Sequence, residues 1–302
     1  MSRSSNLEPP KVKPPRPQLK PIHGVPLPEW LADNWAKVEH FQAKPDDVLI
    51  VTYPKAGTTW IQQIVDLINC NGDAELSKRG PIDVKIPFLE IFAEGFATGV
   101  EMIEKMPSPR FIKTHLPIQL VPKSFWEKDC KMIVLARNSK DNLVSYFHFH
   151  RMNYALPEAG TWLQFLQKFV NGQVAWGFWY DHAKGWWEAK NKHRILFLFY
   201  EDMKEKPSRE ILKVAKFLDK VLEEDVIEKV VELSSFAVMK DDPMVNYSTL
   251  PSTIFDQTIS CFMRKGEVGD WKNHFTVAQH EAFEEDYERK MRDSSIKFRD
   301  VL

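Results

Sequence analysis

The sequence predicts an α/β fold: a single domain on a doubly wound parallel sheet, with an anion-binding loop after its first core strand. Three observations carry this expectation. From about residue 45, short near-continuous apolar runs alternate with helical patterns, as strands buried on both faces alternate with crossover helices. The run Val48-Leu49-Ile50-Val51 leads through YPKAGTTW (53–60) into the helical pattern 61–68, the strand–glycine turn–helix layout of a phosphate loop. The chain has 302 residues, 43% of them apolar, enough to bury a large core.

Residues 1–35 read as a proline-rich N-terminal arm and 36–302 as the folded body. Eight of the 20 prolines fall in residues 9–28, so this stretch is expected to hold neither helix nor sheet and to lie extended on the body. A P-x-x-P match from Pro14 to Pro17 could serve as a ligand for an SH3 domain, but reads first as part of an arm without a partner. Strands are expected within DVLIVTYP (47–54), RFIKTHL (110–116), KMIVLARN (131–138) and RILFLFYED (194–202). Helices are expected at 58–70, 139–153, 161–190 in pieces, 207–219, 223–233 and about 277–292. Pro207 suits a first helical position, and Thr276 an N-cap.

Balanced charge, 41 basic against 42 acidic residues, argues against a general nucleic-acid binder but permits a local basic pocket. Cys70, Cys130 and Cys261 show no C-x-x-C spacing, which fits a reducing compartment. The first residues lack an apolar signal core, and no apolar run approaches the ~18 residues of a membrane span. The expectation is a soluble, cytoplasmic protein.

In a parallel sheet the carboxyl ends of the strands share one edge, where ligands bind. The four strands present there Lys55, Lys113-Thr114-His115, Arg137 and Tyr200. Two lysines, an arginine, a histidine and a tyrosine on one rim imply an anionic ligand beside a titratable imidazole. Taken singly, each has an ordinary reading: a solvated strand end for Lys113, a structural hydrogen bond for His115, a pair with Asp141 for Arg137. Ser145 lies two helical turns beyond Arg137, in reach of the same anion or merely on the surface. Phe262-Met263-Arg264-Lys265-Gly266 suits a second phosphate or an ordinary loop. In YPKAGTTW the lysine precedes the glycine, unlike the Walker order G-x-x-x-x-G-K-[ST].

Together YPKAGTTW, KTHLP (113–117), ARNSKDNLVSYFHF (136–149), FYEDM (199–203) and FMRKGEVGDWKNHFT (262–276) resemble the cytosolic sulfotransferases, most closely the branch that sulfates phenols. The resemblance covers nearly everything after the arm. It implies the P-loop-like sulfotransferase fold for 36–302 and transfer of a sulfuryl group from 3′-phosphoadenosine 5′-phosphosulfate (PAPS) to a hydroxyl or amine, with no metal. Lys55, Ala56, Gly57, Thr58, Thr59 and Trp60 would form the 5′-phosphosulfate loop. Arg137, Ser145, Arg264, Lys265 and Gly266 would clamp the 3′-phosphate. Trp60, Tyr200, Ser234 and Phe236, with Met239, Phe262 and Met263, would face the nucleotide. Ser234 stands where relatives often carry threonine.

The same resemblance makes His115 the general base, with Lys55 and Lys113 stabilising developing charge. Residues 113 and 115 project to one side of a strand. Phe88, Phe149, Trp176, Tyr247 and Phe262 would wall the acceptor pocket with Lys113 and His115, although core packing would equally explain Phe88 and Phe262. Leu31, Asp83 and Ile91 replace aromatics of phenol-sulfating relatives, and Asp83 would favour cationic or polar phenols. Lys272, Thr276, Val277 and Glu281 match the family's K-x-x-x-T-V-x-x-x-E homodimer motif. Two rivals are weaker. A nucleotide kinase would need the Walker order and a magnesium-binding acid, and a non-catalytic binder would not need the Lys55–Lys113–His115 set.

Overall fold

The computed structural model describes residues 15–92 and 97–302. Within them the arm departs from expectation. Strands β1 (Leu19–Ile22) and β2 (Val25–Pro28) form an antiparallel hairpin, turning through His23 (φ 46°) and Gly24 (φ 82°). Two positive φ angles match the twist of a two-residue hairpin turn. The prolines are tolerated because a two-stranded ribbon has outward sides that need no ladder donor. Val25, Leu27, Leu31 and Trp35 then bury themselves in the main core. Pro14 lies outside the described residues, and so does part of the P-x-x-P match.

All four expected core strands form: β3 (Val48–Thr52), β4 (Phe111–Thr114), β5 (Lys131–Ala136) and β6 (Ile195–Phe199). They make one parallel sheet in the order β4-β3-β5-β6. Side-chain alternation divides each central strand between two cores. Leu49, Val51, Met132 and Val134 enter one, and Val48, Ile50, Ile133 and Leu135 the other. Helices Ser139–Met152, Trp162–Val170, Trp179–Ala189 and Val277–Met291 cover the first face. Helices Thr58–Asn69, Pro207–Phe217 and Glu224–Leu233 cover the second.

One expected strand ends early. Tyr200-Glu201-Asp202 is not strand but the first turn of helix Tyr200–Glu205, where acidic side chains favour a helix start. Glu201 is buried and accepts from the Asn138 backbone N–H at 2.9 Å, tying this start to the end of β5. Chain order makes β3 turn toward β4 and β5 toward β6. The switch point, where an open α/β sheet forms its crevice, therefore lies between the loops after β3 and β5. Lys55 stands in the first of these loops and Arg137 in the second.

Candidate active site

The loop after β3 is held in an unusual backbone path. Lys55 (φ 69°) and Gly57 (φ 105°) are both left-handed, and Gly57 directly precedes helix Thr58–Asn69. A Cβ on Gly57 would stand 2.9 Å from Tyr200 Cδ2 and 3.0 Å from Leu135 Cδ2. Only glycine fits both the φ and the space. Asn142 Nδ2 donates to Pro54 O at 2.7 Å, and the Tyr53 hydroxyl donates to Gly177 O at 2.8 Å. The amides of Thr58 and Thr59 open the helix at a cleft that both residues line.

This cleft gathers residues remote in sequence. Lys55, Gly57, Thr58, Thr59, Trp60, Lys113, His115, Arg137, Ser145, Phe149, Tyr200, Ser234, Phe236, Met239, Phe262, Met263, Arg264, Lys265 and Gly266 all line it. Ala56 does not: it is fully buried beneath the loop, where its side chain packs in the core. Ser234 donates its hydroxyl to Val230 O at 2.6 Å, so its oxygen faces the cleft as an acceptor at most. Gly266 has φ 67°, and a Cβ there would stand 2.3 Å from Phe236 Cδ2.

The cations are arranged for a guest that carries negative charge. Among the described residues, neither Lys55 nor Lys113 has an ion-pair partner. Burial, with the charges of Lys113, Arg137 and Arg264, pulls the Lys55 ammonium down to about 7. Burial also brings Lys113 down to about 8, against the opposing carboxylates of Glu90 and Asp83. The Lys55 ammonium lies 3.9 Å from the Phe262 ring centroid and 4.3 Å from that of Phe149, a cation–π contact on each side. Arg137 donates to Glu267 O at 2.7 Å and lies 4.4 Å from the Tyr200 ring centroid. It makes no pair with Asp141, which instead accepts from the Gly269 and Trp271 amides. Among the described residues, the buried Nε atoms of Arg137 and Arg264 have no hydrogen-bond partner. Such orphaned donors are expensive unless a ligand satisfies them.

His115 is 8% exposed. Its Nδ1 lies 2.8 Å from Thr52 O and 3.2 Å from Thr52 Oγ1. A carbonyl can only accept, so Nδ1 carries the proton and Nε2 keeps its lone pair. Burial, reinforced by Lys113, holds the imidazole well below its usual range, so it is neutral at pH 7. Phe88 and Trp176 pack edge-on against it at centroid distances of 4.9 and 5.3 Å. Tyr247 lies tilted against Phe262 at 4.5 Å, and Phe149 meets Phe262 edge-on at 5.9 Å. Of the five aromatics named from the sequence, Phe149 and Phe262 line the cleft beside Lys55; Phe88 and Trp176 do not line it but pack on His115, and Tyr247 reaches it only through Phe262.

Several residues here escaped sequence reading. Lys204 lines the cleft one helical turn after Tyr200; its spacing from Tyr200 was the available signal. Asp270 is almost fully buried and pairs with Arg264 at 2.6 Å and with Lys265, orienting both. Glu90 touches the His115 backbone. No local pattern marks Asp270 or Glu90, because each acts across the fold. Lys272, Thr276, Val277 and Glu281 lie away from the cleft and are exposed. Thr276 caps helix Val277–Met291 in a capping box with Gln279, and Val277 is 74% exposed.

Comparison with known proteins bears on this arrangement. A family model described as a sulfotransferase domain matches residues 45–295. Sulfotransferase 1 family member D1 of Rattus norvegicus is 57% identical over 287 residues, covering 95% of this chain and 97% of its own. Sulfotransferase 1C2 of Homo sapiens is 55% identical over 281 residues, covering 93% and 95%. Among solved structures, mouse sulfotransferase SULT7A1 complexed with PAP matches with a TM-score of 0.75 at 31% identity, covering 91% of this chain and 95% of that one. Retinol dehydratase in complex with androsterone and inactive cofactor PAP matches with a TM-score of 0.83 at 25% identity, covering 91% and 89%.

Proposed function

The chain belongs to the sulfotransferase family, and from that premise we propose that it transfers the sulfuryl group of PAPS to the hydroxyl or amine of a small phenolic acceptor. The observation that carries the reading is the meeting of unpaired Lys55 and Lys113 with tautomer-fixed His115 inside an aromatic cleft. The cleft fits the donor chemically, since the orphaned Nε atoms of Arg137 and Arg264 call for an anion. When bound, PAPS supplies an activated sulfuryl group on a 5′-phosphate.

The chain's own residues do the rest. The amides of Gly57, Thr58, Thr59 and Trp60 face the 5′ end. Arg137, Ser145, Arg264, Lys265 and Gly266 take the 3′-phosphate. Trp60, Tyr200, Ser234, Phe236, Met239 and Met263 enclose the adenosine. Nε2 of His115 accepts the acceptor's proton while Nδ1 stays bonded to Thr52 O. Lys55 and Lys113 place positive charge where negative charge grows, the dominant need in an in-line group transfer. Phe88, Phe149, Trp176, Tyr247 and Phe262 exclude water and orient a flat acceptor.

Incubation with PAPS and a simple phenol, followed by mass spectrometry, tests the reading. An aryl sulfate is expected, formed equally well in EDTA; no aryl sulfate would overturn it, and loss in EDTA would point to metal-dependent phosphoryl transfer.

The enzyme is placed in the cytoplasm, in keeping with free Cys70, Cys130 and Cys261. It is read as a homodimer through Lys272, Thr276, Val277 and Glu281. An isologous patch lets Lys272 of one copy meet Glu281 of the other twice, with Val277 near the axis. Val277→Glu should sediment as a monomer that keeps its activity; an unchanged dimer would discard this patch.

A further inference from the structure

Residues 87–90 run beside the end of β4. Lys113 N–H donates to Pro87 O and Leu89 N–H to Lys113 O, both at 2.9 Å, and Phe88 pairs with Lys113 as a parallel bridge. Continued pairing would give the His115 N–H to the carbonyl of residue 89. Instead the segment turns away, with Ile91 N–H donating to Phe88 O at 3.1 Å. A side chain takes over the ladder. Glu90 Oε1 accepts the His115 N–H at 2.7 Å and the Thr114 hydroxyl at 3.0 Å. Glu90 is fully buried, and its Oε2 has no hydrogen-bond partner among the described residues.

A carboxylate is a costly way to fill a core position. Burial pushes this one up to about 7, against the hydrogen bonds from His115 and Thr114. In either protonation state Oε1 keeps a lone pair for the His115 amide.

We infer that Glu90 is a positioning residue: it ends the strand pairing at His115 and locks the base to the segment that carries the acceptor-side Phe88. This rests on the reading of His115 as the base. The cost of misplacing a reacting group by about 1 Å reaches 10²-fold, so the effect is expected in turnover, not in nucleotide affinity.

The test is steady-state kinetics with PAPS and a phenol, together with calorimetry of adenosine 3′,5′-bisphosphate, on Glu90→Ala, Glu90→Gln, His115→Ala and the Glu90→Ala/His115→Ala double variant. Glu90→Ala should lower kcat about 10- to 100-fold and leave the nucleotide Kd within about threefold. Glu90→Gln retains an acceptor oxygen and should recover most of the turnover. Adding Glu90→Ala to His115→Ala should slow the enzyme no further, because both act through one group. Normal kcat in Glu90→Ala, no rescue by Glu90→Gln, or full additivity in the double variant would overturn the inference while leaving His115→Ala slow. A fast His115→Ala enzyme would instead overturn the base assignment, and this inference with it.

Discussion

Lys55, Lys113 and Arg137 on the cationic half of the site lie at or follow core strand ends, with Arg264 and Lys265 added from one loop, whereas the aromatic half in and beside the cleft is assembled from segments far apart in sequence. Lys55 and Arg137 follow β3 and β5, and the parallel register of those strands fixes their spacing. Phe88, Phe149, Trp176, Tyr247 and Phe262 come from five separate stretches, and no ladder relates them. Two of the five, Trp176 (φ 63°) and Tyr247 (φ 57°), adopt left-handed backbone. Such conformations cost on the order of 1–3 kcal/mol and persist only where surroundings dictate them. Topology places charge; tertiary packing shapes the apolar wall. Chemistry should therefore fail sharply when the first is altered and shift by degrees when the second is.

The largest break is expected at the junction of the halves. His115→Ala should reduce kcat by about 10²–10⁴-fold, the usual worth of a positioned general base, while adenosine 3′,5′-bisphosphate still binds. Single-turnover kinetics with calorimetry on the same preparation would check both. Near-normal kcat would detach His115 from the chemistry and leave the junction merely structural.

Next comes the cationic half alone. Arg264 is paired with Asp270, whereas Arg137 is buried with no ion-pair partner among the described residues, and an uncompensated buried charge costs about 3–5 kcal/mol. Adenosine 5′-monophosphate, lacking the 3′-phosphate, should therefore bind about 10²–10³-fold more weakly than the bisphosphate. Equal affinities by calorimetry would remove the clamp from the cationic half.

This contrast also explains what could be read from the chain. All four core strands and the long helices were legible, since their periods of 2 and 3.6 are local properties. Lys55, Lys113 and Arg137 were legible because each ends or follows a core strand, and Arg264 and Lys265 because they form a loop motif with Gly266; Lys204, inside a helix, was not. The hairpin was hidden: eight prolines in residues 9–28 outweighed the two-residue turn at His23-Gly24. Tyr200 looked like strand because the apolar run of β6 continues into it, while the helix start depends on the distant Asn138–Glu201 contact. Glu90 and Asp270 were illegible for the same reason, being single carboxylates whose partners lie across the fold. Ala56 belongs to the loop motif, yet its side chain points into the core.

The cationic half should also betray itself through pH. Lys55 near 7 and Lys113 near 8 lie below their ordinary value of 10.5. Between pH 7 and about 10 the unfolded chain holds protons that the folded one has released, so these lysines make the free enzyme more stable as pH rises. An anionic nucleotide prefers both ammonium groups charged, so its affinity moves the other way. From pH 7 to 8.5 the melting temperature should rise in the free protein. Over the same range the bisphosphate should bind several-fold to about tenfold more weakly, with proton uptake detectable as buffer-dependent binding heat. Changes of the same sign in both would mean that the lysines do not face the nucleotide.

The smallest effect belongs to the aromatic half. Asp83 lies in the first turn of helix Ile82–Lys85 and is half-buried. Its charge acts on Lys113 and on Tyr247, two of the residues proposed to face the acceptor. Solvent screens a half-exposed carboxylate, and its pull on a cationic guest is worth about 0.2–1 kcal/mol. Asp83→Asn should lower kcat/KM for a phenol bearing an ammonium group about two- to fivefold relative to a neutral phenol of the same size. The nucleotide Kd should hardly move, because Arg264 is held by its own ion pair with Asp270 and Arg137 by the backbone carbonyl of Glu267. A competition assay with the two phenols in one tube reads that ratio directly. If the ratio is unchanged, selectivity in the aromatic half comes from ring shape alone, and the division between charge set by topology and shape set by packing becomes sharper still.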